Sequence, residues 1–302
     1  GEGPNGCKDS ANIQIDIYPL TNLSVTGNTS ICLGESTQLS VSSGANSYAW
    51  TPSTSLNNPV GPIVLANPQD TTTYTITWID QNGCEGDTTH TVSVLPVPNV
   101  SVTANDTTIC LGYSSTLTAS PGLSSYSWSP SSSLNTNTTS FVSATPITTT
   151  TYLVVGTDAN GCPSSSTPIT ITVNPLPILS FTPPFPEICK GDSVVITASG
   201  AQYFTWAPAL GLNISSGHSV VASPDTTTDY IITGRDTNDC LNVISASVTV
   251  NTPPTITLSS VPPNTHDICE GASLTINAFG GVSYSWVGPN GFTSTSQSII
   301  AS

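Results

Sequence analysis

Ile109-Cys110-Leu-Gly112 opens a stretch that runs through an alternating segment at 115–120, then Tyr126-Ser-Trp128 and Thr149-Thr-Thr-Tyr152, and closes at Asp158-Ala-Asn-Gly-Cys162. The same order is written upstream between Cys32 and Cys84 and downstream between Cys189 and Cys240. It begins once more at Cys269, and the tail of an earlier copy ends at Asn5-Gly6-Cys7. The first cysteines (Cys32, Cys110, Cys189, Cys269) recur every 78 to 80 residues, and the second ones (Cys7, Cys84, Cys162, Cys240) every 77 to 78. Self-similarity at a fixed period means that one folding unit is repeated. The 302 residues divide accordingly. Residues 1–20 are read as the final strand of a preceding repeat, 21–98, 99–176 and 177–254 as whole repeats, and 255–302 as the first part of another. Each whole repeat is large enough to bury one modest core.

Within 21–98 the apolar residues alternate rather than recur at helical spacing. Strands are expected around Leu23 and Val25, Leu39 and Val41, Tyr48 and Trp50, 63–66, 72–79 and 88–95, with Asp80-Gln-Asn-Gly83 turning the last pair. Ile13, Ile15 and Ile17 alternate in the same way before Tyr18-Pro19. Short strands with turn signals about every ten residues are the pattern of a β-sandwich. Trp50 and Tyr74, Trp128 and Tyr152, and Trp206 and Tyr230 are each 24 residues apart, and Trp286 occupies the Trp position again. A Trp on an inner strand and a Tyr entering the penultimate strand form the core of immunoglobulin-like sandwiches, where the Tyr hydroxyl bonds back to backbone. The expected fold is therefore all-β: a tandem, end-to-end array of immunoglobulin-like domains without helices. Pro-rich joints at 95–98, 174–177 and 252–254 are short and stiff.

Only 7% of residues are charged, and three Lys or Arg against 18 Asp or Glu leave a net charge of −15. Three cations cannot build a nucleic-acid or anionic-membrane surface. No run approaches the length of a membrane span, so no membrane insertion is expected. Ser and Thr make up roughly 30% of the chain, so hydroxyls rather than charges keep its surface wet. Eight recurrent cysteines without C-x-x-C pairing or neighbouring histidines point to disulfides in an oxidising, extracellular compartment. The chain reads as an excerpt of a longer secreted protein.

The motifs I-C-x-G-x-S-x-x-L, S-Y-x-W, T-T-T-Y and N-G-C followed by P-x-P resemble the immunoglobulin/PKD-like repeats of Bacteroidota surface proteins. They are similar in particular to gliding-motility-type adhesins exported by the type IX secretion system. The resemblance covers essentially the whole chain. It implies a non-catalytic extracellular repeat region forming the rod, stalk or filament of a large bacterial surface adhesin. The partners it implies are neighbouring repeats, other copies in a fibre or bundle, and surface glycans or other cells. The alternative is a spacer or glycan-binding region of a large secreted hydrolase. For that alternative Trp78, an aromatic without a counterpart in the other repeats, is the candidate platform. The resemblance also implies O-glycosylation at Asp-Ser/Thr sequons, here Ser10, Thr71, Thr88, Thr107, Ser193 and Thr226. Asn22 and Asn213 begin Asn-x-Ser sequons.

Two disulfide patterns remain open. Pairing within repeats would join Cys32–Cys84, Cys110–Cys162 and Cys189–Cys240. The first cysteine of a repeat, however, precedes the second strand at one pole. The second lies ten residues beyond the Tyr of that same pole, which is about 33 Å of strand. A disulfide needs α-carbons roughly 4.4–6.8 Å apart. In an end-to-end array this favours pairing between repeats, Cys32–Cys162 and Cys110–Cys240.

Other chemistry finds little support. His90, His218 and His266 occupy unrelated repeat positions and stand in no nucleophile or H-E-x-x-H motif. No catalytic residues and no cofactor are expected. Asp80, Asp158 and Asp236 open turns that carry calcium-type oxygens, yet they are also ordinary hairpin-tip residues without a bidentate Glu.

Overall fold

The computed structural model describes residues 1–263 and 267–302. In 21–98 the strands are β1 (Val25–Thr26), β2 (Ser30–Cys32), β3 (Thr37–Val41), β4 (Ala45–Thr51), β5 (Ile63–Ala66), β6 (Thr72–Asp80) and β7 (Glu85–Leu95). The next repeat carries β8 to β14 at Val102–Ala104, Thr108–Cys110, Ser115–Ala119, Ser125–Ser129, Phe141–Ala144, Thr150–Thr157 and Thr167–Asn174. The third carries β15 to β21 at Ser180–Thr182, Glu187–Cys189, Val194–Ser199, Tyr203–Ala207, Ser219–Ala222, Thr228–Arg235 and Leu241–Asn251. Each repeat folds as two sheets with one topology. The first runs β1-β3-β5 beside β2-β7-β6-β4, and the others repeat it as β8-β10-β12 beside β9-β14-β13-β11 and β15-β17-β19 beside β16-β21-β20-β18. This is an immunoglobulin-like sandwich. The described residues hold no α-helix, only a 3-10 turn at Pro289–Gly291.

The strands exist because their alternation puts one apolar face inward. On β6, Tyr74, Ile76 and Trp78 are buried while Thr73, Thr77 and Ile79 face out. Three separate cores result. One is built from Leu23 to Val94, the next from Val100 to Val173, and the third from Leu179 to Val250. The chain divides into two compact units, 1–173 and 174–302, the first holding two repeats with their own cores.

The indole N–H of Trp50 donates to the carbonyl of Gly61 at 2.9 Å, that of Trp128 to Thr139 at 2.8 Å and that of Trp206 to Gly217 at 2.9 Å. The Tyr hydroxyls correct the expectation of a backbone partner in two repeats of three. Tyr74 pairs with the Ser55 hydroxyl at 2.6 Å and Tyr152 with that of Ser133 at 2.5 Å, whereas Tyr230 donates to the Leu210 carbonyl at 2.8 Å. Ser55 and Ser133 offer the phenol a hydroxyl, whereas the equivalent place in the third repeat is Gly211, which has none.

The T-T-T-Y motif has a backbone purpose. The hydroxyls of Thr71, Thr149 and Thr227 accept the amides of Val94, Val173 and Val250 on the last strand. Those of Thr72, Thr150 and Thr228 donate to the carbonyl two residues back. A Leu-Asn pair, Leu56-Asn57 and its equivalents at 134–135 and 212–213, covers the edge strand. There Oδ1 of Asn57, Asn135 and Asn213 accepts the amides of Leu65, Ser143 and Val221 at 2.7 Å each. Such cover blunts an edge that would otherwise template pairing with another chain.

Two expectations need correction. Residues 11–20 form no strand, and Ile13, Ile15 and Ile17 are almost fully exposed. The first cysteines do not merely precede a strand. In the three whole repeats they end a three-residue edge strand of their own, β2, β9 or β16, which the sequence pattern did not reveal.

In 255–302, β22 (Thr257–Val261), β23 (Leu274–Phe279) and β26 (Ser298–Ala301) form one sheet, and β24 (Trp286–Val287) pairs with β25 (Thr293–Ser294). Trp286 still donates to a carbonyl, Ser296 at 2.7 Å, but is only half-buried. Among the described residues β24 pairs with β25 alone.

Candidate functional site: the cysteine joint between repeats

One half of the joint is the end of β2. This strand lies parallel to β7, with Ile31 beside Val94 and Cys32 beside Leu95. The Leu33 amide donates to the Leu95 carbonyl at 2.9 Å, continuing the ladder past the cysteine. Cys32 is thereby placed beside the residue that opens the Leu95–Pro98 connector into the next repeat.

The other half is the hairpin between β13 and β14. The Asp158 amide donates to the Cys162 carbonyl at 3.1 Å, and Oδ1 of Asp158 accepts the amides of Asn160 at 2.9 Å and Cys162 at 2.8 Å. Asp80 holds Cys84, and Asp236 holds Cys240, with the same two-amide grip. The bond from the cysteine amide is the largest influence on the carboxyls of Asp80 and Asp158 and lowers both below the ordinary value of 3.8, with desolvation opposing it. The acidic tips thus spend an oxygen on orienting the cysteine. Gly83 and Gly161 sit at φ of +78° and +85° in these turns, and Asp239 takes the same left-handed position at +63°.

The halves meet as a disulfide. Cys32 and Cys162 are bonded with α-carbons 5.5 Å apart, inside the range a relaxed disulfide occupies, across 130 positions of sequence. Bonding them to each other excludes the within-repeat pairs Cys32–Cys84 and Cys110–Cys162. Cys189 is a free thiol, which excludes Cys189–Cys240. The physical reason is polarity: the end of β2 and the β6–β7 tip lie at opposite poles of one sandwich. Cys110 and Cys240 are each disulfide-bonded, whereas Cys7, Cys84, Cys189 and Cys269 are thiols. Cys32 and Cys162 are buried, Cys84 is half-buried and Cys189 is exposed.

The remaining candidates lie apart from the joint. Trp78 is 4% exposed and belongs to the first core, so it is no surface platform. It shares the parity of Tyr74 and Ile76. The space for its ring exists because the opposite residue is Gly86, where a Cβ would lie 2.6 Å from a ring carbon. The other repeats reverse the exchange, with Gly156 facing Leu123 and Gly234 facing Leu179. The sequence carried this signal in the Trp/Gly swap. Among the sequon residues, Ser10, Thr71, Thr107, Ser193 and Thr226 are exposed and Thr88 is half-buried. The Asn213 side chain is engaged on the edge strand as described. His90 lies 3.4 Å from the Asn28 carbonyl, His218 packs edge-on against Phe204, and His266 falls outside the described residues. Among the described residues, no three His, Cys, Asp or Glu gather as a metal site.

No family model matches the chain, and no curated protein matches it. Among solved structures it is similar to the Ca2+-stabilized adhesin that helps an Antarctic bacterium reach out and bind ice. That likeness has 14% identity over 92% of this chain and 89% of that one, with a TM-score of 0.33. It is also similar to the N-terminal eight Ig domains of Down Syndrome Cell Adhesion Molecule, at 11% identity, 85% and 44% coverage and a TM-score of 0.26. Sidekick-1 immunoglobulin domains 1–5 match at 14% identity, 78% and 60% coverage and a TM-score of 0.27. The chain thus spans about half the length of the last two. Likeness at this level says nothing of function, and the immunoglobulin-like fold rests on the strand order of this chain itself.

Proposed function

We propose that this chain is a structural segment of an extracellular bacterial adhesin, in which disulfide-stapled sandwiches form a rod, stalk or filament. The observation that carries this reading is the Cys32–Cys162 bond: the one chemistry the cysteines perform here is joining two repeats whose cores are already complete. Cys110 and Cys240, which hold the same strand-end and tip positions one period on, are each disulfide-bonded as well. The motif resemblance to Bacteroidota surface repeats supports placement on a bacterial surface, with export by the type IX system and sugars on the exposed sequon hydroxyls. The glycan-platform alternative loses its candidate ring with the burial of Trp78. Electron microscopy of the secreted protein tests the reading. Thin, beaded, elongated particles that become more bent after reduction are expected, and compact particles would overturn it.

A further inference from the structure

We propose that the cleft around Cys189 is a socket for the cysteine-bearing hairpin tip of a further repeat of this kind, sealed by the same disulfide that joins Cys32 to Cys162. This rests on the stapled-array reading and names the partner of its unfilled ends.

The socket side is set like its filled counterpart. β16 lies parallel to β21, with Ile188 beside Val250 and Cys189 beside Asn251, as Ile31 and Cys32 lie beside Val94 and Leu95. The Lys190 amide donates to the Asn251 carbonyl at 2.9 Å, as Leu33 does to Leu95. Around the thiol is a cleft of about 660 Å³ walled by Glu187, Asp192, Ser193 and Asn251. The Asn251 side-chain amide is held by the Glu187 carboxylate. In the first repeat the cysteine at this place is 7% exposed and bonded to a tip, whereas Cys189 is exposed.

The tip side is equally prepared. Cys84, half-buried and unbonded, has the Asp80 grip that Cys162 has from Asp158. A strand-end cysteine and a tip cysteine are therefore two complementary kinds. The joint is head-to-tail, and a head-to-tail contact propagates. Sealing it forms one S–S bond from two thiols. Two protons and two electrons pass to a disulfide oxidant of the secretory compartment, which is left as two thiols.

The test is non-reducing peptide mapping of the secreted protein after blocking free thiols with iodoacetamide. Cys189 is expected in a disulfide with a cysteine preceded by an Asp-x-Asn-Gly or Asp-x-Asn-Asp tip, and Cys84 with a cysteine preceded by Ile, as in Ile-Cys. In C189S, one additional tip cysteine per chain becomes alkylated. Alkylated Cys189 in the wild type, or Cys189 bonded to another cysteine preceded by Ile, such as Cys269, would overturn the proposal. Compact particles in the microscope with tip-to-socket pairs intact would instead defeat only the rod reading.

Discussion

The sulfur of Cys32, at the end of β2, is bonded to that of Cys162, at the tip of the following repeat's last hairpin. The bond therefore constrains the relation of two folded bodies rather than the inside of either. Cys162→Ser should leave the Trp50 and Trp128 cores folded while lowering the stability of the two-repeat unit by about 2–4 kcal/mol. Calorimetry of wild type and variant, with protease cleavage at Leu95–Pro98 as a second readout, checks this. Loss of the Trp128 core in the variant would contradict it.

The Asp grip predicts a pH response with a definite sign. The folded-state carboxyls of Asp80 and Asp158 titrate below the ordinary value of 3.8, so the fold favours their charged forms. Their contribution is complete above that value and is lost as the pH falls through the lower folded-state one. Amide exchange at Asn160 and Cys162, compared between about pH 5 and pH 2.5 with the intrinsic acid rate divided out, should show loss of protection at the acid end. Asp158→Asn should flatten that dependence at Cys162 and leave the one at Cys84 intact.

The Trp78 site predicts an asymmetric cost. Gly86→Ala drives a methyl into the ring and is expected to destabilise the first repeat by about 1–3 kcal/mol. Trp78→Ala empties the space and should cost about 3–5 kcal/mol. Denaturant melts followed by tryptophan fluorescence measure both. A neutral Gly86→Ala would mean that the ring moves freely.

Tyr152→Phe removes one partner of the Ser133 hydroxyl in a closed corner and should cost about 1 kcal/mol. Ser133→Ala tests the same bond from the other side. Together with the double variant they form a cycle, and coupling near zero would show that the bond contributes nothing.

The core was legible because it repeats. Three Trp–Tyr pairs at one spacing can only be satisfied by three copies of one interior, and all six rings are buried there. The edge strand ending in Cys32 was not legible. Three residues, with Ile31 alone pointing inward, give no period to read, and β2 exists only because β7 passes beside it. Trp78 misled as an unmatched aromatic, because its meaning lay in Gly86 on the neighbouring strand. The exposed Ile13, Ile15 and Ile17 have the right alternation, yet alternation by itself does not make a strand.

The Cys32–Cys162 bond has a consequence for tension along the chain. A pull that enters from the N-terminal side reaches Cys32 and passes through sulfur to Cys162, bypassing the intervening backbone. The 130-position separation then holds back about 430–470 Å of contour length while the bond lasts. The tension is borne by the residues before Cys32 and after Cys162, while β7, inside the bypassed segment, carries none of it as long as the bond holds. Reduction would release the stored length, making the redox state the control on how far the chain can extend under load.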